Sequence, residues 1–165
     1  MIVRYCKILL VASVGLLTLL IVLNNVQDSQ SNLLYVQHVM SMDTTFPDNA
    51  LKWRAISSPV AHRLAFGVLV ACEAAIALLC LLGAYRLLKA VKEPAKTFEQ
   101  AKGIAIAGLS LAFLFWFVGF MAVGGEWFAM WQSETWNGQQ PAFRFIGCVG
   151  VVLLFVNAAD QDVSP

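Results

Sequence analysis

Glu73 interrupts an otherwise uncharged run from Leu64 to Tyr85. A lone carboxyl group in such surroundings can carry protons or ions, hold a helix to its neighbour, or meet a partner subunit. Counted from Leu64 it lies nine residues in, about 14 Å along a helix and near the middle of a bilayer. An ionised carboxylate at that depth is costly unless it is paired, wetted or protonated. Proton or ion handling would need further members, and the sequence places no basic residue and no second acid at comparable depth. Structural glue needs only a hydrogen-bonding neighbour, for which Ser13, Thr18 and Ser110 are the candidates.

Other reactive residue types are spaced for little. His38 and His62 are the only histidines, and neither lies inside an apolar run where paired imidazoles could hold a haem. With Asp43, Asp48 or Glu134 they make no metal-ligand spacing, so they read as exposed or capping side chains. Cys6, Cys72, Cys80 and Cys148 form no C-x-x-C pair and read as small apolar packers, which excludes a membrane thiol oxidoreductase. Phosphate-loop, nucleophile-elbow and H-E-x-x-H patterns are missing, so the sequence supports no enzyme and no cofactor. A net charge of +1 gives no basic field for nucleic acid.

The elements that must position these residues are membrane helices. Of 165 residues 59% are apolar and 13% charged, with mean hydropathy +0.72, well beyond the balance of soluble domains. The expected fold is all-α: a polytopic membrane protein, one domain over 1–165, with four transmembrane helices at about 5–23, 59–88, 103–125 and 142–159. The first resembles a signal peptide in layout, but its apolar run is long and ends in NNVQDS without a small-x-small site, which predicts an uncleaved span. Ser58 and Pro59 mark the start of the second. The third carries no charge from Gly103 to Val123, and the fourth is short enough to need its neighbours. The loop of about 24–62 contains SNLLYVQHVMSM, which predicts either an amphipathic helix on the membrane surface or a short helix folded over the bundle's own end. Gly67, Ala71 and Ala75 on the second span, and Gly103 and Ala107 on the third, have the four-residue spacing of close helix contacts.

Between the last two spans stands GGEWFAMWQSETWNGQQPAFRF, Gly124 to Phe145. Trp127 and Trp131, four apart, share a face if the third helix continues, at the depth where indole rings prefer to sit. They read as an aromatic belt, or else as a surface for stacking a ligand or docking a partner, with Trp136 beyond the belt as the strongest docking residue. Asn137-Gly138 signals a turn and Pro141 the next helix. Glu126 and Arg144 flank that turn and can meet as an ion pair, or remain separately solvated. This stretch, above all Glu126-Trp127, Trp131, Trp136-Asn137 and Gln139 to Arg144, resembles a bacterial family of predicted small integral membrane proteins of unknown function. The resemblance covers nearly the whole chain. It implies a four-helix protein of the bacterial inner membrane and brings no catalytic residues to carry over.

The expected function is therefore non-enzymatic: an accessory subunit of a larger membrane complex, or an immunity-type or regulatory protein that binds a membrane-protein partner in contact with lipid. The alternative is a small transporter or proton conductor centred on Glu73. Arg4, Lys7, Arg86, Lys89, Lys92, Lys96 and Lys102 flank one side of the spans, against Lys52, Arg54, Arg63 and Arg144 on the other, which puts both termini in the cytoplasm. Reporter fusions are expected to place Lys92 and the carboxyl tail inside and Asp48 and Gln139 outside; Lys92 on the outside would overturn this topology.

Overall fold

Backbone groups have no water to bind in hydrocarbon, so a chain this apolar must cross it as helices. The computed structural model, which describes residues 1–162, is all-helical, with no strand among the described residues. Four crossings are long and apolar enough to span a membrane: Ile2–Gln27, Pro59–Lys89, Ala95–Trp127 and Gln139–Asn157.

Helix α1 covers Ile2–Gln27 and so outruns the expected 5–23, because nothing in NNVQ breaks it before Asp28. Asp28 then caps α2, Ser29–Ser41, its carboxylate accepting from the Ser31 N–H at 3.4 Å. The segment read as either a surface helix or a lid takes the second form. Helix α2 lies against α3 and α1, with Val36 buried. It ends at Met42 in the left-handed conformation, φ 52°.

Helix α3, Pro59–Lys89, begins as the sequence indicates, with Ser58 Oγ accepting from the Ala61 N–H and Pro59 at the first position. Its 31 residues make about 46 Å, well beyond a hydrocarbon core. The third crossing consists of α4, Ala95–Ala101, and α5, Gly103–Leu114. It continues as a π-helix over Phe115–Trp127, where the sequence reading assumed α-helix throughout. Wider turns of this kind re-aim successive side chains, and this one ends with the Phe128 N–H on the Val123 carbonyl at 3.0 Å. Helix α6, Gln139–Asn157, starts after the Asn137-Gly138 turn.

The crossings pack in the ring order α1, α3, α5, α6, closed by a thinner contact between α6 and α1. Close approach comes from residues other than the expected small ones. A Cβ at Gly83 would lie 2.6 Å from the backbone N and Cα of Ala105, and one at Gly108 would lie 2.9 Å from the Cys80 nitrogen. Gly67 and Gly103 would meet nothing within 4 Å, and Ala71 and Ala107 are exposed. The four-residue spacing was sound, but it lies on the outward faces; the buried face of α3 runs through Ile76, Cys80, Gly83, Ala84 and Leu87. Gly83→Val is therefore expected to lose most of the folded, monodisperse protein, while Gly67→Val keeps wild-type yield and unfolding midpoint in detergent. Equal behaviour of the two would contradict this crossing.

Candidate functional site

Polar side chains gather at the two ends of the bundle, and the two ends differ in kind. One end holds the start of α1 and the segment that follows α6. There Arg4, Lys7 and Lys102 are 2%, 1% and 1% exposed, although lysine and arginine are almost never fully buried unless paired. Lys7 Nζ donates to Asp160 Oδ2 at 2.6 Å and to the Ala158 carbonyl at 2.5 Å. Lys102 Nζ reaches the same two groups at 2.6 and 2.8 Å, and Glu99 Oε1 at 2.7 Å. Arg4 donates to the carbonyls of Val91, Glu93 and Gln161 at 3.0, 2.6 and 3.1 Å. Ala158 follows the last turn of α6, where unpaired carbonyls and the helix dipole favour cations. Phe98, fully buried, lies beneath the Arg4 guanidinium at 4.7 Å. Asp162 accepts from the Ala95 N–H at the start of α4.

Burial works against the charged form of Asp160, but its hydrogen bonds to Lys102 and Lys7 outweigh that and hold its carboxyl below the ordinary range. The sequence reading counted Arg4, Lys7 and Lys102 only among the basic residues on one side of the spans. In the fold they form a lock on the chain's own tail. The signal was present: two lysines just inside the spans, and Asp160 and Asp162 just after the last one.

Glu73 lies towards the opposite end. Its partner is none of the three hydroxyl residues expected: Ser13 and Thr18 bond to carbonyls of their own helix, and Asn25 Nδ2 donates to Glu73 Oε2 at 2.5 Å. Asn25 is eighteen residues beyond Lys7, about 27 Å along α1. Glu73 thus lies far along the bundle from the basic end, beside the last turn of α1. It is 7% exposed and lines a chamber of about 340 Å³ between α1, α2, α3, the π-helix and α6. Tyr35, Phe66, Trp116, Phe120 and Phe145 contribute rings to its wall. Tyr35 donates to Met130 Sδ at 2.9 Å, and burial pushes its hydroxyl up to about 12, which keeps it a donor. Gly138 leaves room for that hydroxyl; a Cβ there would collide with it.

Around this end the tryptophans part company. Ala129 is left-handed, φ 50°, so the helix stops at Trp127 and Trp131 sits in a separate turn, Met130–Gln132. The two do not share a helical face. Trp127 meets Trp53 edge-on at 6.1 Å, with the Arg54 guanidinium 4.7 Å from its ring. Trp131 meets Phe46 at 5.9 Å. Trp136 is half-buried and stacks on His38 at 4.5 Å, while His38 Nδ1 lies 2.8 Å from Asp43. Its place beyond the π-helix therefore does not leave it free. Glu126 and Arg144 are both exposed, and no ion pair joins them among the described residues; the Glu126 carbonyl instead faces Arg54. His62 is buried, 2.6 Å from the Ile56 carbonyl. Of the cysteines only Cys80 is a core residue; Cys6 and Cys148 are exposed.

Residues 3–159 match the family model described as predicted small integral membrane protein (DUF2165). No curated protein and no solved structure matches the chain.

Because the carboxyl of Asp160 is depressed in the folded state, its contribution is fully present above the ordinary aspartate range, near pH 4, and is lost as pH falls through the lower folded value. Asp160→Asn is expected to cost about 3 kcal/mol by stranding Lys7 and Lys102, and to flatten the acid limb of the unfolding profile. Detergent unfolding followed against pH measures both, and an unchanged acid limb would contradict the lock.

Proposed function

We propose that this chain, which belongs to the DUF2165 family of small integral membrane proteins, is a non-enzymatic interaction protein of the bacterial inner membrane, with both termini cytoplasmic. It binds a membrane-protein partner at its aromatic end, on the outer face, as an accessory or regulatory subunit. The observation that carries this reading is the contrast between the two ends. The basic end spends its buried cations on its own tail. The aromatic end leaves Trp53, Trp127 and Trp131 exposed at 72%, 47% and 50%, the first two beside the partly covered Arg54 and the third against Phe46. Trp and Arg are the residue types that dominate protein interfaces.

Trp53 is the most exposed of the three rings and replaces Trp136 as the expected anchor, since Trp136 already packs on His38. The other reading, conduction through Glu73, has the chamber in its favour. It must also cross a dry stretch in which Val11, Ile76, Cys80, Leu87, Leu109 and Val156 are fully buried. Thr18, the buried hydroxyl there, is already bonded to Val14. That plug supports a one-sided protein over a conduit.

Replacing Trp53 and Trp131 together by Ala, in protein purified from the native membrane with its co-purifying subunit, is expected to reduce affinity roughly thirtyfold or more, the effect of about 2 kcal/mol. Trp136→Phe should retain the subunit. Full retention by the folded double variant would leave these rings a lipid belt and reject the partner-binding reading.

A further inference from the structure

The chamber beside Glu73 has a composition that selects among ligands, independently of any partner at the rings outside. We propose that it is a binding site for an organic ammonium bearing an apolar chain. Three observations converge on that class. Glu73 is an acid more than nine-tenths buried; among the described residues its carboxylate has a single hydrogen bond, from Asn25 to Oε2, and none to Oε1. No lysine, arginine or histidine lines the chamber, so the protein supplies no counter-charge of its own. Much of the remaining lining is aromatic, Tyr35, Trp116, Phe120 and Phe145 among it, and aromatic rings attract cations, most strongly where water is excluded.

A second cavity of about 340 Å³ shares Tyr35, Val36, Leu69 and Phe120 with the first and is almost wholly apolar in its lining. It continues past Val68 and Val123 along α3 and the π-helix. An ammonium held at Glu73 can therefore lay an attached hydrocarbon chain in this second space. The size suits a small amphipath, since ligand sites generally begin near 300 Å³. The same lining argues against a phospholipid headgroup. There the ammonium is tied closely to a phosphate, which would be buried among rings with no cation to meet it, and a buried unpaired charge is costly.

The test uses the full chain in nonionic maltoside micelles, with octylammonium as probe and 1-octanol as its uncharged match, both read by equilibrium dialysis against protein-free micelles. Octylammonium is expected to saturate at one site per chain and octanol to show no saturable component. Glu73→Gln, which keeps a hydrogen-bonding group of the same size, is expected to weaken octylammonium at least about tenfold. Leu69→Trp, which fills the junction of the two cavities, should abolish saturation without touching the carboxyl group. Non-saturable octylammonium, equal binding of octanol, or unchanged affinity in both variants would overturn the assignment. Competition by added phosphatidylethanolamine would overturn it too, by giving the site to a lipid headgroup.

Discussion

The fold closes on a buried carboxylate. Asp160 draws Lys7 from the first crossing and Lys102 from the third onto the tail that follows the fourth, while Arg4 fastens the end of α3 to the same tail. Side chains this hydrophilic stay buried because they meet carboxylates and free backbone carbonyls there. The arrangement ties all four crossings at one end. Hydrocarbon offers helices little apolar driving force to associate, so such polar ties and close backbone contacts such as Gly83 on Ala105 carry more of the specificity than they would in water.

With one end fastened, the other is free to be different. The chamber lies there, between α1 and α6, where the ring of helices has its thinnest contact, and α2 folds over it. The loop after α2 is laced to the segment after the π-helix by Thr44 on Ser133 and by Gln132 on the Phe46 N–H. Met42 and Ala129, the two non-glycine residues with positive φ among the described residues, pack into one small cluster with Phe128, so the turns that end α2 and the π-helix brace each other. Left-handed backbone costs roughly 1–2 kcal/mol per residue, and the burial of both side chains offsets it.

Much of this was legible in the sequence. Long uncharged runs can do little but span a membrane, and Ser58-Pro59 and Asn137-Gly138 mark helix ends by local stereochemistry, so the crossings and their order followed directly. The pairings did not. Asn25 and Glu73 are forty-eight residues apart, and Asn25 was assigned to a loop because the first helix was ended at Leu23. Glu126 and Arg144 flank a turn, yet the π-helix and the left-handed Ala129 place no ion pair between them among the described residues. Small-residue spacing marked real helix faces without saying which faced a neighbour. The burial of Lys7 and Lys102 was not legible for a related reason: a lysine near a span's end can be exposed or buried, and only the position of Asp160 decides between them.

The central claim is that Asp160 holds the lysines as one buried unit. A double-mutant cycle on Lys7 and Asp160 tests it most directly, with unfolding free energies of the wild type, Lys7→Met, Asp160→Asn and the double variant measured in the same detergent at neutral pH. Residues in one buried network couple by roughly 0.5–3 kcal/mol, and the lock predicts the upper half of that range, with the double variant close to the worse single one. Additive losses, with coupling indistinguishable from zero, would mean that the two residues act separately and that the basic end is held by something else.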